Sequence, residues 1–258
     1  MKKLGLVISL EVFVFSLILP PFSEAGDDLV EKVLEAKAEL KSGVNVFDDA
    51  IMKNAKDKFL NLLVKEQAKK GYLHYYVALC DYRLAIYYMT ENQMDEAEVH
   101  TMESQKHLEQ AMELMPSWGE PAALYASMLG FEIAFDWSKA MTLGMKSNEY
   151  LGKALDLEPG NPRILYIKGS SELFTPEAYG GGADKAIETF KKAVDLFEKE
   201  RVEDPLKPSW GKEEAFTFLG MAYEQTGEKK KAEEFYRKAL DVNPEFGLAK
   251  ENLEKLKK

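Results

Sequence analysis

The stretch that most constrains this chain runs from Glu213 to Phe246. Counting Glu213 as position 1, Phe216, Leu219, Gly220 and Tyr223 fall at 4, 7, 8 and 11, and Gly227, Ala232, Tyr236, Ala239 and Pro244 fall at 15, 20, 24, 27 and 32. The spacing describes two helices joined by a tight turn, with Gly227 ending the first and Pro244 ending the second. Gly220 and Ala232 are small where Phe216 and Tyr223 are large, so the two helices can approach closely and fill the space between them. A hairpin of this kind cannot hide its apolar face by itself, and neighbours of the same design must stack against it.

Parts of the same pattern recur upstream. Leu108, Ala111 and Pro116 repeat positions 24, 27 and 32, as do Leu151, Ala154 and Pro159; Leu165 and Gly169 repeat positions 4 and 8, and Phe190 and Ala193 repeat 24 and 27. The marker alanines Ala111, Ala154, Ala193 and Ala239 are 43, 39 and 46 residues apart, against an ideal period of about 34. The excess predicts enlarged loops that project as rims. Pro-Ser-Trp-Gly occurs at 116–119 and again at 208–211, each time before a new first helix, which adds weak support for duplication.

Elsewhere the pattern is simpler. Asp27 to Leu40 reads as a leading amphipathic helix, Gly43 and Asn45 mark a turn, and Phe47 to Lys69 forms a second helix. The run Tyr72-Leu73-His74-Tyr75-Tyr76, continued by Tyr82, Tyr87 and Tyr88, supplies packing rings, of which an exposed subset could line a groove. Gly247 to Lys258 reads as a charged capping helix. No alternating strand runs occur, so the expected fold is all-α, with nine to eleven helices in four antiparallel pairs plus caps.

These residues carry a resemblance to the tetratricopeptide repeat (TPR) superfamily, strong over Glu213 to Phe246, intermediate over Pro162 to Asp195 and weaker over Phe47 to Pro159. It implies a right-handed TPR-like α-solenoid with enlarged loops and a C-terminal capping helix, whose first helices line a concave surface that binds proteins, peptides or, occasionally, small ligands. Carried over by position, the groove-facing residues would be Arg163, Tyr166, Ser170 and Leu173 in one repeat and Glu214, Thr217, Met221, Glu224 and Gln225 in the next. The combination of export and irregular repeats also resembles the periplasmic TPR components associated with TRAP transporters, although the cysteine of a lipid-anchor motif is missing.

Residues 1–25 read as a signal peptide. Lys2 and Lys3 precede an apolar run from Leu4 to Leu19, and Ser23 and Ala25 occupy the −3 and −1 places of a small-x-small cleavage site before Gly26. Glu11 interrupts the run and leaves an uncleaved N-terminal membrane anchor as the other reading. The expected organisation is therefore a signal peptide, 1–25, and one helical-repeat domain, 26–258, exported and periplasmic. Cys80 is the single cysteine and cannot form an internal disulfide, so packed helices must supply the stability. A net charge of −10 without a basic stripe argues against nucleic acid as a partner.

Two features invite a chemical reading. Pro176, Tyr179, Gly180, Gly181 and Gly182 lie in a loop longer than a hairpin needs; either Tyr179 packs back onto the array or the loop is a recognition element. It lacks the context of a phosphate-binding loop. His100, Glu103 and His107 share one helix face, but histidines seven apart converge poorly on a metal, so no metal or cofactor is expected. No converged acid-base pair or triad can be read from the chain, and the expectation is a non-catalytic protein.

The function expected from these features is an exported scaffold that binds a protein or extended peptide through its concave surface. A transport accessory or solute-binding component, with a transporter subunit or small molecule as partner, and an architectural homo-oligomer are the other two readings.

Overall fold

The structure is a computed structural model that describes residues 24–66 and 69–256. Among the described residues eleven α-helices follow one another: α1 (Glu24–Val46), α2 (Asp49–Lys65), α3 (Lys70–Thr90), α4 (Met94–Leu114), α5 (Glu120–Phe135), α6 (Ala140–Leu157), α7 (Pro162–Phe174), α8 (Ala183–Lys199), α9 (Lys212–Gln225), α10 (Lys229–Val242) and α11 (Gly247–Lys255). Single 3-10 turns precede α6 and α8, and the described residues contain no strand. The expected targeting segment lies outside the described residues except for Glu24 and Ala25, which open α1. Among the described residues, no helix is long and apolar enough to cross a membrane.

Successive helices pair α1 with α2, α3 with α4, α5 with α6, α7 with α8 and α9 with α10, and each pair stacks on the next. The predicted marker residues do the packing. A Cβ on Gly220 would fall 2.6 Å from the Tyr236 ring, and one on Gly169 would fall 2.7 Å from the Phe190 ring, so each first helix presents a gap that a ring from its partner fills. Phe190 and Tyr236 are fully buried as a result, as are Ala111, Ala154, Ala193 and Ala239. Burying one such ring contributes about 1.5–3 kcal/mol.

Local signals set the helix ends. Asp48 accepts a hydrogen bond from the Ile51 amide at 3.0 Å and starts α2. The Asn161 side chain accepts from the Arg163 amide at 2.9 Å, with Pro162 in the first turn of α7. Gly227, at φ +81°, follows α9 as expected.

The expected boundary between the first two helices shifts. Gly43 does not mark a turn, because α1 runs on to Val46 and the chain reverses at Phe47, at φ 55°. Gly43 is small for another reason: a Cβ there would meet Met52 of α2 at 2.8 Å, so the glycine sets the α1–α2 approach.

The array curves until its ends meet. Asn243, after α10, donates from Nδ2 to Asn45 Oδ1 in α1 at 2.8 Å, and α11 packs against both α1 and α9. Helix α3 lies at the centre with nearly every side chain from Leu73 to Ala85 buried, including Cys80.

Candidate functional site

The inner face of this curve is not a vacant groove. Residues 200–211, between α8 and α9, cross it as an irregular segment and occupy it. Tyr76 donates to the Leu206 carbonyl at 2.9 Å, and Trp210 donates from Nε1 to the Tyr75 hydroxyl at 3.0 Å. Lys37 of α1 donates to the carbonyls of Pro205 and Lys207 at 3.0 and 2.8 Å. Burial and the nearby positive charge of Arg163 push the Lys37 ammonium down to about 8.

Arg163 ties this segment to the repeats. Its Nε donates to Glu120 Oε1 at 2.9 Å, its Nη1 to Glu200 Oε2 at 3.1 Å and to the Trp210 carbonyl at 3.3 Å, and its Nη2 pairs with Glu200. Glu120 also accepts from Tyr75 at 2.9 Å and from Asn161 at 2.8 Å. A second buried pair, Arg83 with Glu214 at 2.6 Å, joins α3 to α9, with the Arg83 guanidinium 4.9 Å from the Trp210 ring centre. Burial raises the Glu214 carboxyl above its usual value, against the opposing pull of Arg83.

These contacts correct the expected groove. Arg163, Tyr166, Glu214 and Thr217 are buried and committed to the protein's own packing, so they present no surface to a macromolecular partner. Ser170 is half-buried and donates to the Tyr166 carbonyl at 3.0 Å; Met221 packs on the core; Glu224 accepts from Tyr236 at 2.8 Å. The residues that fill the inner face, Leu206 and Trp210 above all, lie in a stretch without periodicity. Their one signal was the repeated Pro-Ser-Trp-Gly. Its two tryptophans converge on Tyr75, Trp118 with ring centres 4.6 Å apart and Trp210 by its hydrogen bond.

The open site lies at the rim. The loop after α7 and the turn after α9 enclose a cleft of about 830 Å³, lined in part by Phe174, Pro176, Glu177, Gly182, Gln225 and Glu228. Leu173 and Gln225, expected to face a groove, thus meet the glycine-rich loop here. The loop is held by its own backbone: Gly182 donates to the Glu172 carbonyl at 2.8 Å, and Gly181 to Pro176 at 3.3 Å. Gly180 and Gly182 adopt φ of 85° and 109°, and a Cβ on Gly181 would fall 2.0 Å from the Thr175 oxygen, so three glycines in a row are required. Tyr179 does not pack back onto the array; it is 74% exposed, and Phe174 is 64% exposed.

The histidines separate. His100 contacts Asp81 at 2.6 Å through Nδ1, Glu103 pairs with Lys106 at 2.6 Å, and His107 faces His74, with their Nδ1 atoms 2.9 Å apart. Among the described residues no group of three or more His, Cys, Asp or Glu side chains is placed to hold a metal ion.

The paired and stacked helices form a TPR-like α-solenoid. Residues 213–246 match the sequence model of the tetratricopeptide repeat. The fold is similar to that of the HusA haemophore from Porphyromonas gingivalis, at 23% identity and a TM-score of 0.62, covering 81% of this chain and 97% of that one. It is also similar to a thermophilic TPR protein of Thermus thermophilus, at 16% identity and a TM-score of 0.59, covering 86% and 98%. No curated protein matches the chain. These likenesses concern the fold, and they do not bear on the resemblance to TRAP-associated components.

Proposed function

We propose that the protein is an exported, non-catalytic scaffold that receives a protein segment or peptide in the rim cleft, not along the inner face. The observation that carries this reading is the contrast between the two places: residues 200–211 fill the inner face, whereas the cleft beside the glycine-rich loop is open and its loop is already held in shape. A preformed loop spares a partner the entropy of ordering it. Glu177, Asp184 and Glu228 line the cleft and favour a basic side chain, and the exposed Phe174 ring offers it an apolar neighbour.

Selection of displayed peptides on the immobilised protein tests the assignment. Peptides that pair a Lys or Arg with an apolar residue should be enriched by the native protein and lost with Phe174→Ser or with Glu177→Lys combined with Asp184→Lys. Equal enrichment by all three would sink it. Export predicts a mature N-terminus at Gly26 in a periplasmic fraction, which N-terminal sequencing reads directly.

A second reading, a carrier for a flat apolar ligand such as haem, draws support from the fold likeness to a haemophore. The exposed Phe174, edge-on to Phe218 with ring centres 6.1 Å apart, would supply apolar contact. Titration with haemin, followed by its visible absorption, separates the two readings; an unshifted spectrum at stoichiometric loading removes this one.

A further inference from the structure

The second helix of the third hairpin carries an apolar stripe that its packing does not use. Trp137 lies in the 3-10 turn that runs directly into α6, and Met141 and Met145 follow at four-residue steps, so the three side chains share one face. They are 63%, 80% and 64% exposed. A Cβ added to Gly144 or Gly152 would meet no atom within 4 Å, so no described neighbour roofs this side of the helix.

The repeats do not require the stripe. Met145 stands nine residues before the marker Ala154; at the same place α8 has Asp184 and α10 has Lys230, and where α4 has Met102 the residue four before it is Glu98. The methionine pair is therefore peculiar to α6.

Its chemistry is narrow. Thioethers are soft, uncharged donors that suit monovalent copper, whereas zinc takes nitrogen, thiolate or carboxylate and calcium and magnesium take oxygen. On a helix, Cβ atoms four residues apart lie about 5–6 Å from each other, and a methionine stem has three rotatable bonds, so two exposed thioethers can close on one ion. The Trp137 ring, one turn earlier, can cover the same cation with its π-face. The nearby lysines are turned to other partners: Lys146 lies over the Tyr125 and Tyr150 rings at 5.4 and 6.0 Å, and Lys139 pairs with Asp136 at 3.5 Å.

We propose that Met141 and Met145 bind one soft monovalent metal ion, Cu(I), beneath the Trp137 ring. The site shares no residue with the rim cleft and is independent of it.

Anaerobic titration of the full mature chain with Cu(I), kept reduced by ascorbate and set in competition with a chromophoric Cu(I) chelator, tests the proposal. The native protein should take up one ion with a Kd of about 10 μM or tighter, and its tryptophan fluorescence should fall as the ion binds. Met141→Leu and Met145→Leu keep the face apolar and remove its donors. Each should weaken binding at least about tenfold, and the double variant should abolish it. Both side chains are exposed, so the melting temperature of the free protein should stay in place. Trp137→Leu should remove the fluorescence change. Absence of Cu(I) uptake would overturn the proposal. So would uptake unchanged in the double Leu variant, which would place the copper on other donors.

Discussion

Trp210 and Tyr75 lie 135 positions apart in sequence and share one hydrogen bond, from the indole Nε1 to the phenol oxygen at 3.0 Å. That bond pins the segment 200–211 against the central helix. Tyr75 in turn donates to Glu120, which Arg163 holds, so indole, phenol, carboxylate and guanidinium form one chain of donors and acceptors.

Trp210→Ala should therefore do more than remove a half-buried ring. We expect a loss of about 2–3 kcal/mol in urea denaturation. Limited proteolysis should then cut first between Glu200 and Gly211, because the segment loses its anchor while the helices around it remain packed.

Arg163→Met should cost about 3–5 kcal/mol, since it leaves Glu120 and Glu200 without their buried counter-charge. Adding Glu120→Met should restore part of the loss, with a coupling of about 0.5–3 kcal/mol read from a double-mutant cycle. Strict additivity would contradict the network. Charge reversal at Arg163 would unfold the protein before it could report on a partner.

The facing pair His74 and His107 makes stability depend on pH. Burial depresses both rings, His74 to about 4, and the charges of His107 and Lys70 act on His74 in the same direction. The folded values lie below the unfolded value of about 6.5, so this contribution is fully present above about pH 6.5 and is lost as pH falls from there toward about 4. Because His74 is partly open to solvent, we expect only about 1–2 kcal/mol from it. Urea midpoints at pH 7 and pH 5 should differ in the native protein and differ less in His74→Gln; identical shifts would exclude the pair as the cause.

The glycine-rich loop should respond to substitution in a definite order. Gly181→Ala drives a Cβ into the Thr175 oxygen, a backbone clash that costs about 1–3 kcal/mol and distorts the cleft. Gly180→Ala meets no neighbouring atom and carries only the cost of its positive φ, about 1–2 kcal/mol. Peptide affinity should fall in the first variant and hold in the second.

How far the sequence could be read follows from what kind of signal each part carries. The hairpins were legible because period and residue size are local: Gly220 against Tyr236 and Gly169 against Phe190 are written in the spacing itself. The inner face was not, because position within a repeat says which way Arg163 and Glu214 point but not what else arrives there. Leu206 and Trp210 come from a loop whose path depends on how far the array curves, and no periodicity encodes that. The loop at 180–182 was visible as an excess of glycine. Its convergence with Gln225 and Glu228 required the stacking of two neighbouring hairpins.

The contact between Asn45 and Asn243 changes what kind of array this is. An open stack of hairpins can gain or shed a unit at either end, because each unit answers only to its neighbours. Here the first and last of the described helices touch, so a hairpin cannot be added between them without breaking that contact, as a stave cannot be added to a closed cask. Inserting a further hairpin would part α1 from α11 and withdraw Lys37 from the carbonyls it holds.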